Sequence, residues 1–325
     1  MHPNEIRIVF MGTPDFAVES LKALVENRYQ VVGVITAPDK PAGRGRQLSE
    51  SAVKKYALEN HLNVLQPEKF KNPEFLAELE SLKADLQIVV AFRMLPEIVW
   101  NMPPLGTFNL HASLLPHYRG AAPLNWAVIN GETETGVTTF LLSHEIDTGR
   151  ILFQEKVAIG DNDTVGDLHD RMMAVGSALV LKTVDAIAEG NIEPIDQTLL
   201  TDNDTRIKHA PKIFKEDSCI DWTRDTETVR NLIRGLSPYP AAWTELVHPG
   251  KQEVLTAKIF AAKADHITLP AAPGTLLTDG KKYLKIACTD GWLSITDLQL
   301  SGKKQMRIEE LLRGFHDLEN WRVKM

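Results

Sequence analysis

Cysteine is scarce in this sequence of 325 residues, which contains only Cys219 and Cys288. The two lie far apart and neither belongs to a C-x-x-C pair, so no disulfide framework and no zinc site are predicted. Long hydrophobic runs are also missing, because none approaches the about 18 apolar residues of a membrane helix. The polar Met1–Arg7 and the short apolar Ile8–Phe10 do not form a secretory signal. We therefore expect a cytoplasmic protein with no membrane partner.

The glycine-rich fingerprint of nicotinamide-binding enzymes is absent as well. Ile6–Met11 is a nearly continuous apolar run, which predicts a buried parallel strand. The turn that follows, Gly12–Asp15, lacks the G-x-G-x-x-G pattern that would cradle a pyrophosphate there. His144-Glu145 has no second histidine at the spacing of zinc proteases. We predict neither a dinucleotide cofactor nor a metal site.

Apolar runs and turn signals predict an α/β fold followed by a small β-barrel. In residues 1–200 strands alternate with helical spacing, which is typical of a Rossmann-like, mostly parallel sheet. Its strands are predicted at 6–11, 29–36, 85–91, 106–110, 136–142 and 150–158. Asn72 followed by Pro73 predicts the start of a helix. Residues 201–211 are a predicted linker, and residues 212–325 hold short strands at 244–247, 253–260, 274–277, 283–287 and 292–300.

The distribution of charge bears on possible partners. The net charge of −7 argues against a protein that wraps nucleic acid uniformly, and no DNA partner is expected. Residues 206–325 contain 19 Lys and Arg against 15 Asp and Glu, a balance of +4, whereas the preceding residues balance at −11. A polyanion would therefore bind the C-terminal part, although many domains with this balance bind none.

The residue types that suggest chemistry lie in Asn109–Gly120, which reads NLHASLLPHYRG. Asn109 and His111 are two apart at the end of a predicted strand, so their side chains project to the same side. The Asn amide can donate to a developing oxyanion. Imidazole has an unperturbed pKa of about 6.5, which suits proton transfer near neutral pH. Asp147 follows the next strand and could orient His111 or relay its proton, which predicts an acyl-transfer site.

Each of these residues also has a structural interpretation. A single Asn or His at a strand end is more often a turn or core residue than a catalyst. Asp147-Thr148-Gly149 by itself predicts an Asx turn before the next strand. Spacing alone favours these structural roles.

Residues 37–48 are rich in Pro, Gly and cations, and we predict a loop. Its basic residues are Lys40, Arg44 and Arg46. Composition alone favours a flexible, solvated loop. The alternative is a basic flap that orders on contact with a phosphate-bearing substrate.

Taken together, these motifs resemble the formyltransferases that use 10-formyltetrahydrofolate. The resemblance rests on Asn109-x-His111-x-Ser-Leu-Leu-Pro116 followed by Asp147-Thr-Gly149. Residues 10–17, FMGTPDFA, residues 38–46, PDKPAGRGR, and residues 233–238, IRGLSP, resemble the branch that acts on initiator methionyl-tRNA. The likeness runs nearly from end to end.

The resemblance implies formyl transfer from 10-formyltetrahydrofolate to the α-amino group of methionyl-initiator tRNA, with tetrahydrofolate as product and no metal. It implies catalytic roles for Asn109, His111 and Asp147, and a C-terminal barrel of the oligonucleotide-binding type that holds tRNA. The implied folate-binding residues are Ser113, Leu114, Leu115, Pro116, Phe92 and Leu95. The implied tRNA- or aminoacyl-binding residues are Gly12, Thr13, Pro14, Lys40, Arg44 and Arg46. Arg93 departs from the aromatic-glycine pattern of the family's pteridine loop and could face the acidic tail of the folate.

Two other functions stay open. A formyltransferase for another amine, such as a sugar nucleotide or glycinamide ribonucleotide, would share the core, but a small substrate needs neither the 38–46 segment nor a basic barrel. A noncatalytic protein that binds tRNA or folate would not require Asn109, His111 and Asp147 together.

Arg44→Ala is expected to impair formylation of tRNA without changing folate binding, because a mobile basic loop contacts only the larger substrate. The measurement is the rate across a series of tRNA concentrations, with folate binding measured in parallel. Wild-type behaviour over that series would assign the segment to a solvated loop.

Overall fold

The structure, a computed structural model, describes residues 2–42, 47–200, 206–251, 253–265 and 269–324. Arg44 and Arg46 lie outside these ranges. The chain divides into two compact units. The first comprises Met1–Gly120, Glu134–Ala158 and His169–His209, and the second comprises Ala121–Thr133, Ile159–Leu168 and Ala210–Met325. The predicted domain boundaries at residues 200 and 211 stay predictions. In the structure, two internal segments, Ala121–Thr133 and Ile159–Leu168, belong to the same unit as the C-terminal residues.

A mostly parallel sheet forms the centre of the first unit. The strands up to residue 210 are β1 (Arg7–Gly12), β2 (Gln30–Ile35), β3 (Lys40–Ala42), β4 (Gln47–Ser49), β5 (Val64–Leu65), β6 (Leu86–Val90), β7 (Thr107–His111), β8 (Arg119–Gly120), β9 (Glu134–Leu141), β10 (Ile151–Ala158) and β11 (His209–Ala210). The order in the main sheet is β10-β9-β7-β6-β1-β2-β5. Strands β7, β6, β1, β2 and β5 run parallel, and β9 is antiparallel to both β7 and β10. The predicted Rossmann-like sheet is confirmed.

Helices connect the parallel strands. Those up to residue 189 are α1 (Asp15–Glu26), α2 (Ala52–Glu59), α3 (Pro73–Ser81), α4 (Glu97–Trp100), α5 (Pro123–Ile129) and α6 (Val165–Glu189). The predicted start at Asn72 is confirmed, because its side chain accepts a hydrogen bond from the Glu74 amide at 2.9 Å. The predicted loop at 37–48 differs, since its described ends pair as the antiparallel strands β3 and β4.

Helix α6 lies close to the strand that ends at His111. A Cβ atom added to Gly176 would stand 2.9 Å from Cδ2 of Leu110 in β7. Leu110 is buried. The missing side chain at Gly176 therefore allows the helix backbone to approach the sheet directly behind the end of β7.

An antiparallel sheet forms the second unit. Its strands are β12 (Ala242–His248), β13 (Glu253–Asp265), β14 (Leu276–Thr278), β15 (Leu284–Ala287), β16 (Trp292–Leu300), β17 (Met306–Arg307) and β18 (Arg322–Val323), and its further helices are α7 (Thr226–Gly235) and α8 (Ile308–Gly314). The order is β14-β15-β16-β13-β12-β18, with β17 beside β16. The Val323 amide donates to the Gly274 carbonyl at 3.3 Å, so β18 lies next to the residues that immediately precede β14. The sheet is thus nearly closed, and the predicted small barrel is confirmed.

Gly176→Leu is expected to lower the free energy of unfolding by about 1–3 kcal/mol, the usual cost of overpacking a filled interior. Ala178→Leu is the matched control, because position 178 is exposed on the same helix. Denaturant unfolding of both variants measures the effect. Equal stabilities for the two variants would contradict the close approach of α6 to β7.

Candidate active site

His111 ends β7 at the carboxyl edge of the parallel strands, where ligands bind in open α/β sheets. Its ring is buried, and Nε2 lies 2.8 Å from the carbonyl oxygen of Tyr118. A carbonyl can only accept, so Nε2 carries the hydrogen. Nδ1 faces Oδ2 of Asp147 at 3.8 Å, which is an ion-pair distance rather than a hydrogen bond. Both ring nitrogens therefore face acceptor oxygens, and the ring can hold a proton at Nδ1 beside a carboxylate.

Asn109 lies two residues earlier on the same strand and is half-buried. Its neighbours are Val89 on β6 and Phe140 on β9. Strand alternation directs its side chain to the same side as that of His111. Within the described part of the chain, no protein group forms a hydrogen bond with the side-chain amide of Asn109. Its N–H groups are therefore available to a substrate oxygen.

Asp147 lies in the loop that joins β9 to β10, and its backbone is left-handed, with φ of +56°. Oδ2 accepts a hydrogen bond from the Gly120 amide at 2.9 Å. The predicted alternative of a local Asx turn is therefore not the role of this carboxylate, because its donor lies on β8. A Cβ atom at Gly149 would stand 1.6 Å from the Leu141 carbonyl oxygen, so the loop requires glycine there.

Gln197 joins the loop of Asp147 to β8. Its Nε2 donates to the carbonyl oxygens of Asp147 at 2.9 Å and of Gly149 at 2.7 Å. Its Oε1 accepts from Nε and Nη2 of Arg119, at 3.1 and 2.5 Å. Burial lowers the pKa of the Arg119 guanidinium, and the negative charges of Asp147 and Glu145 oppose that shift.

Most of the residues expected to bind folate are packed into the first unit. Ser113 is fully buried, and its hydroxyl donates to the His117 carbonyl at 2.7 Å. Leu115 is buried against Phe140 and Ile151. Pro116 is buried and Leu114 half-buried. Leu114 therefore has the most accessible side chain of the four, and the folate contacts of 113–116 stay predictions.

The segment after β6 carries the other two expected folate-binding residues. Leu95 is buried and Phe92 half-buried, and both pack with the core between the sheet and α3. Arg93 does not extend freely toward a ligand. Its guanidinium lies 4.1 Å from the centroid of the Phe70 ring and donates to the carbonyl oxygens of Pro67 and Glu68. Burial lowers the pKa of Arg93, and its contacts fix this segment to the chain before α3.

Four of the residues expected to contact the aminoacyl-tRNA lie within the described ranges: Gly12, Thr13, Pro14 and Lys40. Gly12 ends β1, which pairs with β6, which pairs in turn with β7. Thr13 is half-buried and Pro14 exposed in the turn that follows. Lys40 is exposed on β3. These positions are compatible with the predicted contacts, which stay predictions.

Three groups that hold His111, Asp147 or its loop were not expected from the sequence. They are the Tyr118 carbonyl, the Gly120 amide and the Gln197 side chain. The first two belong to the stretch NLHASLLPHYRG, but main-chain groups have no signature in a sequence. Gln197 follows α6 close to the predicted linker, and nothing in its neighbourhood marks a buried amide.

In the part of the chain that the structure describes, no group of three or more His, Cys, Asp and Glu side chains is arranged to hold a metal ion. No helix among the described residues has both the length and the apolar composition needed to cross a membrane.

An amide donor, an imidazole and a carboxylate at the carboxyl edge of an α/β sheet are compatible with a group-transfer enzyme. Sequence profiles of known families agree with this class. The profile of formyl transferase matches residues 6–184, and that of the formyl transferase C-terminal domain matches residues 212–316. The methionyl-tRNA formyltransferase of Bacteroides fragilis is 56% identical over 324 residues, covering 100% of this chain and 99% of that protein. The chain therefore belongs to the formyl transferase family.

Solved structures of lower identity share the fold. An N-formyltransferase from Helicobacter canadensis, in complex with folinic acid and dTDP-3-aminofucose, has a TM-score of 0.62 at 21% identity and covers 93% of this chain and 100% of its own. HypX from Aquifex aeolicus, in complex with tetrahydrofolic acid, has a TM-score of 0.62 at 21% identity over 94% of this chain. This chain spans only 47% of the HypX chain.

Gly149→Ala is expected to displace the loop that carries Asp147, because the added Cβ meets the backbone of β9. We expect a loss of about 1–3 kcal/mol in the free energy of unfolding and a fall of about 10²-fold in turnover, typical of a misplaced reacting group. Gly314→Ala is the matched control, since a Cβ there meets nothing within 4 Å. If Gly149→Ala kept wild-type turnover, the loop would not position the reaction.

Proposed function

We propose that this protein transfers the formyl group of 10-formyltetrahydrofolate to the α-amino group of methionyl-initiator tRNA, giving N-formylmethionyl-tRNA for the initiation of translation in the cytoplasm. The observation that carries the proposal is the His111–Asp147 pair, with the Asn109 side-chain amide on the same strand. It occurs in a chain that matches methionyl-tRNA formyltransferases over its whole length.

The reaction requires an amine to attack a formyl carbon. The new C–N bond converts the formyl carbonyl into a tetrahedral oxyanion, which the Asn109 amide and the Nδ1–H of protonated His111 stabilise. The bond between the formyl carbon and N10 of the folate then breaks. The attacking nitrogen loses a proton and N10 gains one, and Asp147 assists this movement while it holds the imidazolium. An α-amino group with a pKa of about 8 is partly neutral near pH 7, so its lone pair can attack.

The folate donor is supported by the two structural neighbours, which were solved with tetrahydrofolic acid and folinic acid. The 10-formyl form of the donor is proposed from the family resemblance. Its binding place is the carboxyl edge of β1, β6 and β7, beside the segments 92–95 and 113–116.

The tRNA acceptor is supported by the surface of the second unit. Phe214 is 58% exposed, with the Lys212 ammonium 5.3 Å from its ring centroid. The half-buried Trp243 has the Lys215 ammonium at the same distance. Aromatic rings interleaved with lysines suit stacked bases and phosphates of a single strand. A small amine substrate would not require such a surface.

Asn109→Ala, His111→Ala and Asp147→Asn are each expected to lower single-turnover formylation while leaving the affinities for both substrates nearly unchanged. Loss of one oxyanion donor typically costs about 10²–10³ in rate, and loss of acid–base assistance about 10²–10⁴. The measurement is transfer to charged initiator tRNA, with folate binding followed separately. Near-normal turnover of either Asn109→Ala or His111→Ala would remove that residue from the mechanism.

The substrate control for this experiment uses the unaltered protein. Charged initiator tRNA is compared with free methionine and with an amino-sugar nucleotide as acceptors of the formyl group. The proposal requires tRNA to be the preferred acceptor. Preference for the sugar nucleotide would reassign the protein to a different branch of the family.

A further inference from the structure

Gln197 is 2% exposed and lies in the short 3-10 helix Gln197–Leu200 that follows α6. A buried glutamine amide needs partners for two N–H groups and for two lone pairs on its oxygen. Here all are used: the N–H groups bond to the carbonyl oxygens of Asp147 and Gly149, and Oε1 accepts twice from Arg119. The carbonyls can only accept and the guanidinium can only donate, so the amide has one orientation that satisfies the set.

These bonds join the two segments that determine where the Asp147 carboxylate lies. One is the loop itself, in which Asp147 has a left-handed backbone, a conformation that persists only where the surroundings hold it. The other is β8, where Arg119 precedes the Gly120 amide that donates to Oδ2. If Gln197 were absent, both segments would lose their common partner, and the distance from Oδ2 to Nδ1 of His111 would no longer be set.

The chain after α6 also contacts the histidine side of the pair. The Tyr118 amide donates to the Lys208 carbonyl at 2.6 Å, and the carbonyl of Tyr118 is the acceptor for Nε2 of His111. The described parts of 197–209 therefore contact the supports of both residues. A segment expected to end the first domain and begin a linker belongs to the structure of the site.

We infer that Gln197 is a positioning residue for the reaction, and that it acts by holding the Asp147 carboxylate in its place beside His111. The inference rests on the proposed function, because it presupposes that Asp147 assists formyl transfer. Gln197 itself does not contact the reacting atoms.

The rival explanation is that Gln197 is a structural amide whose loss merely destabilises the fold. Gln87 offers a control for that explanation. It is also fully buried, and its side-chain amide lies 3.0 Å from Thr107 Oγ1, whose hydrogen is donated to the Trp100 carbonyl at 2.6 Å. It pairs with the first residue of β7, at the end of the strand opposite His111. Gln87→Leu is therefore expected to change stability without changing the reaction.

The experiment measures turnover, both KM values, the pH dependence of turnover and thermal stability for Gln197→Ala, Gln197→Glu and Gln87→Leu in the full chain. We expect Gln197→Ala to lower turnover by about 10²-fold, the effect of a misplaced catalytic group, with nearly unchanged KM values and an altered pH dependence. Gln197→Glu keeps the size and the acceptors for Arg119 but cannot donate to the two carbonyls. It therefore tests the same claim if the alanine variant is too unstable to study. Gln87→Leu should keep the wild-type pH dependence.

Coupling to Asp147 separates this inference from the proposed function. If Gln197 acts through Asp147, Gln197→Ala should cost only a few-fold in an Asp147→Asn background. An equal loss in both backgrounds, or wild-type turnover of the folded Gln197 variants, would overturn the positioning role while leaving Asp147 catalytic. Wild-type turnover of Asp147→Asn alone would instead overturn the proposed role of the carboxylate, and the positioning role with it.

Discussion

The site depends on the restraint of one imidazole ring between two acceptor oxygens. The Tyr118 carbonyl takes the Nε2 hydrogen of His111 at 2.8 Å, and the Asp147 carboxylate faces Nδ1 at 3.8 Å. The first contact sets which nitrogen is free to exchange a proton, and the second gives that proton a negative neighbour. The ring is buried at the end of β7, whereas the Asp147 side chain is half-buried. The Asn109 side-chain amide on the same strand is the neutral donor that we propose for the oxyanion.

Two costly features of the backbone lie around the carboxylate. Asp147 has a left-handed backbone, and the loop crosses β9 so closely that Gly149 cannot carry a side chain. Such strain persists only where the surroundings determine it. Here the Gly120 amide holds the carboxylate and Gln197 holds the loop carbonyls. The rigid sheet places His111, and a set of hydrogen bonds from distant parts of the chain places its partner.

The sequence predicted the longer strands of the fold better than it predicted the main-chain contacts of the site. Apolar runs such as Ile6–Met11 predicted the parallel strands, because burial on both faces leaves a direct signal. Strand β18 and helix α8 were not predicted; β18 has two residues and exists through its pairing with β12. Asn109, His111 and Asp147 could be proposed as site residues from residue type and resemblance, and their catalytic roles stay predictions. Gln197 could not, because its partners lie 48–78 residues away and include main-chain carbonyls.

The central claim is that His111 and Asp147 work as one unit on the formyl transfer. The most direct measurement is single-turnover formylation of initiator methionyl-tRNA by His111→Ala, Asp147→Asn and the double variant. Residues that act as a unit give strongly non-additive effects. The double variant is therefore expected to be hardly slower than the slower of the two single variants. Losses that multiply would contradict it, because Asp147 would then contribute without His111.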